Sequence, residues 1–193
     1  YAAYVRATIP RTLRDETVKS HGEWLIANFL FANKIDYAYE ELYDVGTARE
    51  RHAPDFVVWQ KGKPRVWIEY FGTDRQGGVA PGISAAAYSE GIAWKKNVHQ
   101  TNKTVLIDLY YYDLLEDRLL DKLESSLRAF GYELNPRTPK EILEQANAIG
   151  YQSRFLRICE QFLGHVRAKR LGKSEVAALA LDSRDKAFVE VFN

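Results

Sequence analysis

The stretch that decides the fold is RHAPDFVVWQKGKPRVWIEYFG, residues Arg51–Gly72. Its pattern predicts two short apolar strands, Asp55–Gln60 and Arg65–Phe71, joined by the turn KGKP. An acid opens the first strand, and a second acid, Glu69, lies near the end of the other. If the strands pair as a hairpin, Asp55 and Glu69 lie at the same end of a sheet. Because a buried carboxylate needs a partner, this pair predicts a site for a hydrated divalent metal ion.

Helix and strand patterns flank this hairpin on both sides. Before it, apolar residues at helical spacing predict a helix over Thr17–Asn33, and alternation predicts a strand over Ile35–Tyr43. After it comes a glycine-rich segment, Gly72–Gly82, which is either a substrate gate or a plain connector. A second helix is predicted over Ser84–Gln100, and the apolar run Lys103–Tyr110 predicts a buried, central strand. The expected order is therefore helix, three strands, helix and strand.

The rest of the chain is predicted to be helical. Asp113 is a suitable N-cap for a leucine-rich helix that runs through Ala129. Further helical patterns follow at Pro139–Ala148, at Gln152–Arg170 and from Asp182. We therefore expect two parts, a sheet domain over residues 1–132 and a helical appendage over residues 133–193. The basic side chains of the appendage suit either a solvated face or a surface that faces DNA.

Composition narrows the classes of function. The chain has 193 residues, with 27 basic and 26 acidic side chains, so its formal charge of +1 does not itself indicate a nucleic-acid partner. The one cysteine, Cys159, excludes an internal disulfide framework and favours a reducing, cytoplasmic compartment. No apolar run reaches the roughly 18 residues of a membrane span, so no membrane partner is expected. Because the sequence begins at Tyr1 rather than at a methionine, we expect a segment of a longer protein.

More side chains are candidates for the site around the acid pair. Glu23 is either the reciprocal partner of Ser20 in a helix capping box or a third carboxylate of the metal site. Lys95 and His99 lie one helical turn apart on a partly apolar stripe of the second helix. They are either surface residues or side chains that face the acids. No phosphate-binding loop with the Walker spacing is present, so we assign no ATP hydrolysis to this segment.

The longer pattern resembles a known family. The segments VKSHGEWLIANFLFANKIDYAYEELY, APDFVVW, VWIEYFG, AWKKNVH and TVLIDLY are similar to the nuclease-like segment inserted in bacterial superfamily 1 helicases of the UvrD/Rep type, such as DNA helicase IV. That segment belongs to the PD-(D/E)XK nuclease superfamily. The resemblance implies an α/β, restriction-endonuclease-like αβββαβ core with a mixed central sheet flanked by helices. It also implies Mg²⁺ or Mn²⁺ as cofactor, DNA as partner and covalent attachment to a helicase.

The same resemblance implies a set of metal ligands. Asp55 and Glu69 match the metal-binding acids of the superfamily. Glu23 matches an acid that many members carry on their first helix. The backbone carbonyl of Tyr70 is expected to be a further ligand. On this interpretation the chain is a metal-dependent DNA nuclease that takes part in DNA repair or defence.

One position departs from the superfamily pattern. Phe71 stands where members commonly have a lysine that positions the attacking water. Some members supply that lysine from the following helix, where Lys95 is the first candidate and Lys96 the second. His99 is expected to contact the scissile phosphate. If neither lysine faces the acids, the alternative is a degenerate nuclease fold that binds nucleic acid or docks another protein.

Overall fold

A computed structural model describes residues 11–44 and 52–150. Its helices and strands follow one another as α1 His21–Ala32, β1 Asp36–Tyr39, β2 Phe56–Trp59, β3 Val66–Phe71, α2 Ala85–Thr101, β4 Val105–Tyr110, α3 Tyr111–Leu115, α4 Leu119–Ala129 and α5 Pro139–Ala148. The predicted order from the first helix to the fourth strand is confirmed. The predictions made for Cys159, for Gln152–Arg170 and for the helix from Asp182 lie outside the described residues.

The four strands form one mixed sheet in the order β1-β2-β3-β4. The first three are antiparallel neighbours, whereas β3 and β4 run parallel. Phe56 pairs with Ile68, so the start of β2 lies beside the end of β3 and the predicted hairpin is confirmed. Among the strands of the described residues, β4 lies at an edge, so the prediction that Lys103–Tyr110 forms a central strand is wrong for this sheet. Ile107 and Leu109 of β4 pack into the core on one face of the sheet. The hydrophobicity of a strand alone does not reveal its position in the order of strands.

Helices cover both faces of the sheet. One face carries the larger core, in which α1 and α4 meet the strands through Ile26, Leu30, Phe56, Val58, Val66, Ile68, Ile107, Leu109, Leu119, Leu123 and Leu127. On the other face, Val98 of α2 packs with Val57 and Trp67. Since successive strand residues point to opposite faces, Glu69 lies on the same face as Trp67, beneath α2.

The first helix begins at the cap that the Ser20–Glu23 pattern predicts within the span Thr17–Asn33. It starts at His21, with Ser20 as the N-cap. The Ser20 hydroxyl oxygen accepts a hydrogen bond from the Glu23 N–H at 3.2 Å and donates to Glu23 Oε1 at 2.8 Å. The first bond satisfies a backbone N–H that a helix start leaves without a partner, and the second fixes the orientation of the Glu23 side chain.

The predicted single helix from Asp113 to Ala129 is two helices, α3 and α4. The chain breaks between them near Asp117, which has a positive φ of 56°. Asp113 is not the N-cap but lies within α3, where its buried carboxylate accepts from the Tyr110 N–H at 3.0 Å and from Lys122 Nζ at 2.9 Å. Because Asp113 contacts both the end of β4 and a lysine of α4, it holds the start of α4 close to the end of β4.

The chain divides into two compact units, Tyr1–Ile149 and Gly150–Asn193. The linker and α5 lie with the sheet unit, since the Arg137 N–H donates to the Ala32 carbonyl at 2.7 Å and Gln145 Nε2 donates to the Leu13 carbonyl at 2.8 Å. This division does not test the predicted boundary after residue 132, because a segment can pack on a domain that it follows. None of the helices within the described ranges is long and apolar enough to cross a membrane.

Gly22 gives the first testable prediction. A Cβ at this position would overlap the side-chain ring of Tyr70, whereas a Cβ at Gly91 would meet nothing within 4 Å. We expect Gly22→Ala to lower the free energy of unfolding by about 1–3 kcal/mol through overpacking. Gly91→Ala, the matched control in α2, is expected to raise it by about 0.5–1 kcal/mol. Urea unfolding followed by circular dichroism compares them, and equal effects of the two substitutions would contradict the close packing at Gly22.

Candidate functional site

Asp55 and Glu69 lie together at one end of the sheet, as the hairpin predicts. Asp55 immediately precedes β2, and its Oδ2 accepts a hydrogen bond from the Tyr70 N–H at 2.7 Å. Glu69 is the preceding residue of β3 and is only 1% exposed. The N–H and C=O of one strand residue point to the same side, so the Tyr70 carbonyl faces the same side as Asp55. Two carboxylates and one carbonyl therefore share one small region.

Lys95 reaches this region from α2. Its Nζ lies 2.6 Å from Glu69 Oε2, and its side chain is 29% exposed. The same ammonium lies 5.6 Å from the centre of the Phe71 ring. An ammonium from the following helix therefore lies beside both Glu69 and Phe71. Lys96, the second candidate, contacts Asp108 Oδ2 on β4 at 2.6 Å instead.

Glu23 is buried at the start of α1, and its contacts support the capping interpretation. Besides the bonds to Ser20, its Oε2 accepts from the Lys19 N–H at 2.9 Å and from the Tyr39 hydroxyl at 2.6 Å. Its negative charge nevertheless contributes to the raised pKa of Asp55. Glu23 therefore acts on the acid pair through its charge, while hydrogen bonds already engage both of its oxygens.

The Lys95 ammonium only partly balances the negative charges of Asp55, Glu69 and Glu23. Burial raises the pKa of Asp55 well above its usual range, and the charges of Glu69 and Glu23 raise it further. Burial also raises the pKa of Glu69, although the Lys95 ammonium opposes this shift. A divalent cation would relieve the repulsion, and carboxylate and carbonyl oxygens are the ligands that Mg²⁺ prefers. By charge and by ligand type, the residues fit such an ion.

The residues of the site suit a metal ion that keeps several coordinated water molecules. Within residues 11–44 and 52–150, no cluster of three or more His, Cys, Asp or Glu side chains has the geometry to hold a metal ion. Mg²⁺ commonly binds through one or two carboxylates and keeps several waters. Asp55 and Glu69 would therefore be the side-chain ligands, and the Tyr70 carbonyl would be the backbone ligand.

Sequence reasoning missed His52. This buried side chain places its Nε2 3.2 Å from Glu69 Oε1, on the opposite carboxylate oxygen from Lys95. The signal was present in the sequence HAPD, where the histidine stands three residues before Asp55. A histidine in a loop shows no periodic pattern, so only its closeness to the Pro54–Asp55 pair could have marked it.

His99 lies in the wall of the site. It is 1% exposed, and its Nδ1 lies 2.8 Å from the Thr104 hydroxyl oxygen. Burial, reinforced by the charge of Lys95, lowers the pKa of His99 to about 4. The burial of His99 and its contact with Thr104 favour a structural role, and its contact with a scissile phosphate stays a prediction.

The glycine-rich segment after Glu69 is internally hydrogen bonded. The Gly72 N–H donates to the Tyr88 hydroxyl oxygen at 2.7 Å. Asp74 Oδ1 accepts from the N–H groups of Gln76 and Gly78 at 2.9 and 2.7 Å. The segment therefore forms a defined turn beside the site, and its action as a substrate gate stays a prediction.

The buried His99 predicts a dependence of stability on pH. Because its pKa is lowered to about 4 in the folded chain, the unfolded chain binds the proton more tightly between about pH 6.5 and pH 4. The stability that the neutral ring contributes is complete above about pH 6.5 and is lost on acidification. Between about pH 6.5 and pH 4, the free energy of unfolding of His99→Gln is therefore expected to fall by about 1–3 kcal/mol less than that of the wild type. Urea unfolding at several pH values measures this difference, and a pH-independent difference would contradict it.

Comparisons of the chain with protein-family models, with curated proteins and with solved structures find no match.

Proposed function

We propose that this chain is a metal-dependent nuclease domain of the PD-(D/E)XK type, with a restriction-endonuclease-like core, which hydrolyses phosphodiester bonds in DNA. We further propose that it acts in the cytoplasm as part of a helicase. The observation that supports this most is the 2.6 Å contact between Lys95 Nζ and Glu69 Oε2, beside Asp55. Two acids and a lysine from three separate elements converge at one end of the sheet, although the strand itself lacks the lysine.

Each residue of the site has a role in this proposal. Asp55, Glu69 and the Tyr70 carbonyl would hold Mg²⁺ or Mn²⁺. When bound, the metal lowers the pKa of a coordinated water and stabilises charge that builds up on the phosphate. Lys95 orients the attacking water and offsets phosphate charge with its ammonium. The Phe71 ring gives that ammonium an apolar wall, which strengthens its electrostatic effect.

A second candidate is a module that binds nucleic acid or docks a protein without cleaving a substrate. It is favoured by the absence of a cluster of three or more ligand side chains within the described ranges. It is also favoured because Lys95 already neutralises Glu69. This alternative predicts DNA binding that weakens as salt rises, with no cleavage at any metal concentration.

Plasmid nicking measured beside DNA binding separates the two candidates. Supercoiled plasmid is incubated with the protein and Mg²⁺, Mn²⁺, Ca²⁺ or EDTA, and filter binding is measured in the same buffers. The nuclease proposal expects nicking with Mg²⁺ and Mn²⁺ and none with EDTA. Binding without nicking in every buffer would instead support the second candidate, and the absence of both would reject both.

A further inference from the structure

One further inference rests on two buried polar atoms that face each other. His52 Nε2 and Glu69 Oε1 are 3.2 Å apart, but their alignment falls outside hydrogen-bond geometry. In the part of the chain that the structure describes, neither atom has another hydrogen-bond partner. Buried polar atoms are costly to leave without partners. A hydrogen bond between the two atoms would satisfy both at once.

The surroundings of His52 hold its ring against Glu69. The centre of the Trp94 ring lies 5.5 Å from that of His52, and the rings of Tyr43 and His99 lie at 6.0 Å. The backbone is fixed as well, because the Tyr43 N–H donates to the His52 carbonyl at 2.8 Å. The imidazole is thus enclosed by rings and directed at one carboxylate oxygen.

We propose that His52 is a positioning residue that donates its Nε2–H to Glu69 Oε1 while Lys95 donates to Oε2. The carboxylate is then held from both sides in a single orientation, with Asp55 beside it. The effect of this arrangement on cleavage rests on the proposed nuclease function, whereas the effect on metal binding does not require cleavage. Partners that orient a metal ligand typically change metal affinity or activity by about 10- to 100-fold when they are removed.

The partner of His52 decides which ring nitrogen carries the proton. A carboxylate only accepts hydrogen bonds, so the proton that faces Glu69 Oε1 belongs on Nε2. The His52 ring then steadies Glu69 as a hydrogen-bond donor.

The test compares His52→Phe with His52→Gln in the full chain. Phenylalanine keeps the ring and removes the donor, whereas the glutamine amide N–H takes the place of Nε2–H. The exposed His21, changed to phenylalanine, is the matched control. Mn²⁺ affinity is measured by titration calorimetry without DNA, and kcat and KM are measured separately on DNA.

We expect His52→Phe to weaken Mn²⁺ binding by about 10- to 100-fold and to lower kcat with little change in KM. His52→Gln is expected to recover most of both losses, and His21→Phe is expected to match the wild type. A His52→Phe variant that binds Mn²⁺ like the wild type, or a His52→Gln variant no better than His52→Phe, would overturn the inference. Wild-type protein that binds Mn²⁺ without cleaving DNA would overturn only the proposed function, whereas no Mn²⁺ binding at all would overturn both.

Discussion

Lys95→Met is expected to reduce the rate of DNA cleavage by about 10²- to 10⁴-fold, the range typical of a residue that assists proton transfer. Methionine keeps the length and the apolar stem of the side chain but removes the ammonium that contacts Glu69 Oε2 at 2.6 Å. Because this ammonium is the cationic partner of the buried Glu69 carboxylate, we expect its removal to lower the melting temperature while the fold is retained. Single-turnover cleavage of end-labelled DNA with Mg²⁺ measures the loss.

Lys96→Met is the matched control for this prediction. It removes the same charge from the next residue of the same helix, but its ammonium contacts Asp108 rather than the acid pair. We expect cleavage by this variant within about threefold of the wild-type rate, because the partly exposed Lys96–Asp108 pair contributes little and its ammonium does not contact Asp55 or Glu69. Equal losses in the two variants would show that general basic charge on α2, rather than the contact with Glu69, supports the reaction.

A double variant tests the proposal that Lys95 takes the place of a strand lysine. In Lys95→Ala/Phe71→Lys the ammonium moves to the strand position that members of the proposed superfamily commonly use. The two side chains are neighbours, since Lys95 Nζ lies 5.6 Å from the centre of the Phe71 ring. We expect the double variant to cleave DNA faster than Lys95→Ala alone. No recovery in a variant that remains folded would argue against this spatial replacement.

Asp55→Asn is expected to abolish detectable cleavage and at the same time to stabilise the metal-free protein. Burial and the neighbouring charges of Glu69 and Glu23 raise the pKa of Asp55, so the folded state favours the protonated form. Stability from this group is therefore present at low pH and is lost as pH rises from the ordinary range of aspartate, about pH 4, towards neutrality. Asparagine is neutral at every pH and can still accept from the Tyr70 N–H. The expected gain at about pH 8 is on the order of 1–3 kcal/mol.

Thermal unfolding with and without Mg²⁺ tests this second prediction. Metal stabilises the folded wild type by mass action, so adding Mg²⁺ is expected to raise its melting temperature and to leave that of Asp55→Asn unchanged. Asp36→Asn, at an exposed position on β1, is the matched control and is expected to behave like the wild type. A less stable Asp55→Asn protein at pH 8 without metal would contradict the repulsion on which the metal site depends.

Local sequence patterns predicted the strands of the hairpin and the two acids of the candidate site. The hairpin followed from two apolar runs around a Gly-Pro turn, and its register brought Asp55 beside Glu69. Helical spacing put Lys95 on α2 as a candidate, but only the packing of Val98 against Val57 and Trp67 directs that face of the helix at the sheet.

The errors lie where the structure depends on contacts between distant residues. The edge position of β4 depends on strand order, about which periodicity carries no information. The break at Asp117 depends on a buried carboxylate, Asp113, which pairs with Lys122 from the next helix. His52 escaped notice because its partner, Glu69, lies on another element and the loop before it has no repeating pattern.

The central claim is that Asp55, Glu69 and a divalent metal together hydrolyse phosphodiester bonds. Its most direct test is the single-turnover cleavage rate of Glu69→Gln with saturating Mg²⁺, compared with the wild type and with Glu41→Gln. The control removes an exposed acid whose partner is Arg65. We predict cleavage by the wild type and by Glu41→Gln, and a loss of at least about 100-fold in Glu69→Gln. Cleavage by Glu69→Gln at the wild-type rate, or wild-type cleavage that persists in EDTA, would contradict the claim.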